Sequence, residues 1–148
     1  MNKLLAIILG CSFVSQFSYA VETSAQSKEF PKDELKKQNK ELVQLVAKEL
    51  NKGLPQTIDK YTQLIKVEGK DTVLHYTYEI NTGAKSDETV KNEDRSRMRE
   101  AVTNGICKSY KKFLDAQIDI SYIYISAKSK VELFHFDMTQ SKCFAMTK

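Results

Sequence analysis

Apolar residues recur at helical spacing near the start of the chain. Leu35, Leu42, Val43, Val46 and Leu50 fall on one side of a 3.6-residue repeat, which predicts a helix over residues 31–51. Pro31 and the pair Asp33-Glu34 suit its opening, and Gly53 followed by Pro55 closes it. The period then changes to two. A first strand is expected over 61–68, with Tyr61, Ile65 and Val67 on one side, and Gly69-Lys70-Asp71 as the turn. A second is expected over 72–81, where Leu74, Tyr76, Tyr78 and Ile80 alternate with Val73, His75, Thr77 and Glu79. Residues 82–91 are polar and read as a loop. A second helix is expected from Asn92, a good N-cap, with Met98, Ala101, Val102, Ile106, Tyr110, Phe113 and Leu114 on its apolar side and a bend at Gly105. A last hairpin joins 117–125 to 130–138, and Ile118, Ile120, Tyr122 and Tyr124 share a side with Phe134, Phe136 and Met138.

The order is helix, hairpin, helix, hairpin. It predicts an α+β domain: an antiparallel sheet of about four strands with helices on one face. The sequence divides into residues 1–20, 21–31 as a polar leader, and 32–148 as the single domain.

Composition narrows the class. The chain has 148 residues, 41% of them hydrophobic and 28% charged, which suits one globular domain. Five glycines, with no GxGxxG or GxxxxGK[ST] among them, leave no phosphate-cradling loop. The first 20 residues have the layout of a secretory signal. Lys3 supplies the positive start, 4–14 the apolar stretch, and Ser18 and Ala20 the small residues before a cut after Ala20. The apolar stretch is too short to span a bilayer. Ile8-Leu9-Gly10-Cys11 also resembles a lipoprotein box, so a lipid anchor at Cys11, on the outer membrane, is the alternative to a freely periplasmic protein. Two cysteines remain after a cut at Ala20. An even count in an exported chain predicts a Cys107–Cys143 disulfide, which would tie the polar tail to the second helix.

Charge and motif chemistry exclude more than they assign. The formal net charge of +4 is spread along the chain and makes no basic stripe with interleaved aromatics, so nucleic acid is not an expected partner. His75 and His135 lack HExxH or His-x-His spacing and read as strand residues rather than metal ligands or general bases. No GxSxG elbow is present. Arg95 and Arg99 share one helix side and Arg97 the other, which reads as a solvated face able to meet a phosphate or carboxylate. No catalytic residue, metal or cofactor is assigned, and an enzyme is not expected.

Two surfaces remain. Tyr76, Tyr78, Tyr122 and Tyr124 gather on one sheet face if their strands are neighbours, as an aromatic platform for a glycan or peptide or as core rings with hydroxyls at the rim. On the opposite face Ile123, Ile125, Val131 and Leu133, beside Val73, form an apolar patch where a solvated face should be polar. That patch is the expected contact with a protein partner or a second copy. Asp at positions 123 and 133 should abolish association and leave the monomer folded.

The set Leu54-Pro55, Ile58-Asp59, Tyr76-x-Tyr78, Cys107, Tyr122-x-Tyr124 and Cys143 resembles small exported α+β proteins of unknown function from Gram-negative bacteria. The resemblance implies no activity that transfers by residue. The function expected is a non-enzymatic periplasmic protein-binding module, an accessory or assembly factor of an envelope, secretion or virulence system. The alternative is an immunity or inhibitor protein against a toxin or lytic enzyme.

Overall fold

The computed structural model describes residues 31–146. The signal segment, Cys11 and all but the last residue of the leader lie outside the described residues. The chain runs α1 (Lys32–Asn51), β1 (Gln56–Thr57), β2 (Thr62–Lys70), β3 (Val73–Ile80), α2 (Asp87–Ser109), α3 (Lys111–Asp115), β4 (Asp119–Ser126), β5 (Glu132–Met138) and α4 (Gln140–Met146). The strands form one sheet in sequence order, β1 to β5. The fold is α+β, with one more strand than expected: β1, the pair of residues directly following the cis Leu54–Pro55 peptide, pairs with Gln63 and Leu64.

The sheet is antiparallel except at its centre. β3 and β4 are parallel, with Tyr76 opposite Tyr122 and Tyr78 opposite Tyr124. The two expected hairpins exist, but α2 crosses over between them and returns the chain in the same direction. That long connection is what a parallel neighbour requires.

Local signals explain the shifted boundaries. α2 begins at Asp87, not Asn92, because the Ser86 hydroxyl accepts the Thr89 N–H at 3.2 Å and Asp87 and Glu88 occupy the first turn. Its buried residues drift around the helix, from Val90 to Thr103 and Ile106, as α2 passes from β5 toward α3 and α4. Gly105 sits inside the helix without ending it; the break comes at Tyr110. Cys143 lies on α4 and not on an irregular tail.

In β2 a bulge between Leu64 and Lys66 resets the alternation. Leu64 and Val67 therefore point into the core, whereas Ile65 is half-buried and Tyr61, before the strand, is exposed. Gly69 is a strand residue paired with Leu74, and the turn is Asp71-Thr72, with Asp71 at a φ of 53°. Glycine is needed there because α1 rests on it. A Cβ at Gly69 would stand 2.5 Å from the carbonyl carbon and oxygen of Val43. Asn51, at the end of α1, fastens the same strand: its amide donates to the Val67 carbonyl at 2.6 Å and accepts the Val67 N–H at 3.1 Å.

The core lies between the sheet and the helices. Val43 and Ala47 of α1 meet it over β2, Val90 and Ile106 come from α2, and Leu114 comes from α3. Cys107 and Cys143 form the expected disulfide, with their Cα atoms 5.5 Å apart, and join α4 to α2.

Candidate functional site

The parallel register makes the tyrosines a ring ladder. Centroids lie 5.3 Å apart for Tyr76–Tyr122 and 5.0 Å for Tyr78–Tyr124, and Phe134 and Phe136 extend the ladder onto β5. The Tyr122 hydroxyl donates to that of Tyr110 at 3.0 Å. Tyr76, Tyr78 and Tyr124 are buried and Tyr122 half-buried. Burial, first among the causes, pushes all four phenols up, Tyr78 to about 12 and the other three further. The rings are thus packed and uncharged beneath the helices.

Among the described residues the other sheet face carries no helix. Val73, His75, Thr77 and Glu79 alternate along it on β3, with Asp119, Ser121, Ile123 and Ile125 opposite them on β4. Ile123 and Ile125 are successive, half-buried residues of that face. Val73 stands four residues along β3 from the partner of Ile123, about 13 Å away at strand rise. The His75–Ser121 pair lies between. A bulge between Tyr124 and Ile125 resets β5, so Leu133 is buried with the core and Val131 is an exposed residue before the strand. Of the five expected patch residues, the fold brings together Ile123 and Ile125.

This face also assembles a serine, a histidine and a carboxylate. Ser121 Oγ lies 2.9 Å and Asp137 Oδ1 3.0 Å from the same nitrogen, His135 Nε2. A proton relay needs the carboxylate on one ring nitrogen and the hydroxyl on the other, and the carboxylate on the Nδ1 side, Glu132, stands 3.7 Å away, beyond hydrogen-bond reach. Ser121 is moreover fully buried. The trio is a cross-strand network, not a nucleophile with its base. His75 is half-buried nearby. Desolvation first lowers its pKa, and Asp137 and Glu68 oppose that shift. Among the described residues no group of three His, Cys, Asp or Glu is placed to hold a metal ion.

A cleft that the hydrophobic pattern does not reveal opens at the far end of the helix-covered face. It lies between the turn before β2 and the first half of α2, with a volume of about 520 Å³. Ile80, Val90, Met98 and Phe134 give it an apolar lining. Its lip is Tyr61, 55% exposed, beside Ile58, 51% exposed. The Lys60 ammonium lies 4.6 Å from the Tyr61 ring centroid. Most charges at the rim are already paired, Arg97 with Asp94 at 2.7 Å and Lys85 with Glu93 at 2.6 Å, and Asp59 accepts the backbone N–H groups of Tyr61 and Thr62. Such a site offers apolar contact and leaves little demand for a charged ligand. Farther along, α1 exposes Leu42, Leu45 and Leu50. Asn39 of α1 donates to the Ala116 carbonyl at 2.7 Å, so that flank looks toward α3. Leu42 and Val46 lie on the same flank. The sequence signal for the cleft was the pair Ile58 and Tyr61, large apolar side chains in an otherwise polar turn.

Comparison with known proteins places this architecture. The fold matches the pilotin EpsS of the Vibrio vulnificus type II secretion system with a TM-score of 0.63 at 12% identity, over 75% of this chain and 96% of that one. It matches the type II secretion pilotin AspS of Vibrio cholerae with a TM-score of 0.57 at 18% identity, over 75% and 97%. It also matches PA3611 of Pseudomonas aeruginosa, a protein regarded as secreted, with a TM-score of 0.64 at 15% identity, over 74% and 96%. At these identities the likeness is one of fold. No curated protein matches the sequence. No helix among the described residues is long and apolar enough to cross a membrane. A family model matches residues 37–134, from the second turn of α1 into β5, and the chain belongs to that family, described as a domain of unknown function (DUF8479).

Proposed function

We propose that this chain is a non-enzymatic accessory factor of an envelope or secretion system, exported to the periplasm by residues 1–20, and that it works by binding a protein. One observation carries the reading: the fold is shared with two type II secretion pilotins along nearly their whole length. The surface agrees with it. The structure offers an apolar cleft with exposed Tyr61 at its lip, and the Ser121-His135-Asp137 grouping is misarranged for catalysis. The cleft suits the apolar side of a partner segment, and its ion-paired rim disfavours strongly charged ones.

The test is a cross-linked capture of the tagged protein from its native envelope, with the partners identified by mass. A stoichiometric component of a secretion or envelope machine is expected. Tyr61→Glu with Met98→Glu should lose it, whereas Ile123→Asp on the other sheet face should retain it. Recovery of a toxin or lytic enzyme would make the chain an inhibitor. Recovery of the chain alone would overturn the reading in favour of self-association.

A further inference from the structure

The two long edges of the sheet are finished differently. On one side β1 pairs with the start of β2, and Asn51 occupies both backbone groups of Val67. On the other side β5 is the last strand, and among the described residues no strand pairs with its outer edge. An unpaired row of N–H and C=O groups is a template for another strand.

A line of cations runs beside that edge. Lys91, Arg95 and Arg99 follow at four-residue intervals on α2, about 6 Å apart at helical rise. Lys91 and Arg95 border a shallow groove of about 230 Å³ whose other wall is β5 from Glu132 to Phe136. Arg95 and Arg99 carry the tract on toward Met146 of α4. Arg97, on the opposite side of the helix, is spent on Asp94. Among the described residues none of the other three is in an ion pair, and Lys91 acts on Asp87 only at longer range. Two carboxylates stand beside the tract: Glu132, 3.7 Å from His135 Nδ1, and Glu100.

Alternate side chains of an extended strand lie about 6.6 Å apart on one face. That matches the spacing of the three cations. We propose that the outer edge of β5 takes an extended segment of a partner protein as an added strand, with acidic side chains at alternate positions against Lys91, Arg95 and Arg99. Main-chain hydrogen bonds would supply affinity and the cations register and sign. The groove shares Phe134 with the cleft, but its cations lie outside the cleft, and its test does not depend on what the cleft binds.

The experiment uses the whole exported chain and a fluorescein-labelled peptide of about eight residues, Asp alternating with Thr or Val, the length of an ordinary strand. Binding is expected, weakened by added salt and reduced at least about tenfold by Arg95→Gln with Arg99→Gln. Both arginines are exposed, so the variant should keep the wild-type circular dichroism. Two further peptides are N-methylated on one or the other set of alternate amides. One should lose binding and the other keep it, since a strand pairs on one edge only. Equal binding of a peptide with Lys in place of Asp, an unaltered double variant, or equal behaviour of the two methylated peptides would overturn the proposal. So would a β5-mediated dimer of this chain that the acidic peptide does not displace.

Discussion

The two faces of the sheet are built from the same strands but on opposite terms. The helix-covered face is aromatic and closed. Tyr76, Tyr78, Tyr122 and Tyr124 contact one another, and α1 comes so near that Gly69 admits no side chain. The open face is mixed, with Ile123 and Ile125 next to a polar network of His75, Ser121, His135 and Asp137. Shape decides what the first face tolerates; solvation and charge decide the second.

The largest test of this contrast is alkaline titration. The four tyrosines hold their protons in the folded state, with Tyr78 at about 12 against an ordinary 10. Their contribution is complete below pH 10 and is lost as pH rises through 10 toward the folded values. Tyrosinate absorbance from these rings should therefore appear together with loss of near-UV dichroism. Rings that titrate at their ordinary value in a folded chain would break the comparison. Cys107→Ser with Cys143→Ser, which frees α4, should cost about 3–4 kcal/mol in urea melts if the chain-entropy account holds. Gly69→Ala should cost about 1–3 kcal/mol, since backbone of α1 must move; wild-type stability would mean that α1 is not seated there. On the open face Ile123→Asp should cost only about 1 kcal/mol, within the range of strand preferences.

The smallest effect is expected at His75. Its folded pKa is below 6.5 through desolvation, so its stabilising share is present above pH 6.5 and is lost as pH falls through 6.5 toward the folded value. His75→Gln should flatten the wild-type decline between neutral and mildly acidic pH in urea midpoints. An unchanged slope would place the cause at other groups.

Much of the fold was legible. The tyrosine alternation on two strands, the helical repeat of α1 and the cysteine pair each depend on neighbours a few residues away or on export chemistry, and each stands in the structure. The boundaries that moved depend on partners distant in sequence. Gly69 reads as a turn residue until α1 is laid over it. Tyr61 and Leu133 change side because bulges in β2 and between β4 and β5 reset the period of two. α2 hides its start because its apolar stripe drifts around the helix, so Ser86 is a better guide than periodicity. The cleft lay beyond reach for the same reason: Tyr61, Ile80, Met98 and Phe134 meet only once the crossover is made.

The crossover also bears on how fast this chain reaches its native state. β2 with β3, and β4 with β5, are hairpins that close over short loops and form quickly. The central β3–β4 pair closes only after the whole of α2 and α3 has been spanned, and the ring ladder exists only once it does. Loop-closure entropy is spent before those contacts return anything, which makes this the slow step. A protein whose two halves are joined last stays threadable for longer, and under the export proposed for residues 1–20 that delay would be time in which to leave the cytoplasm unfolded.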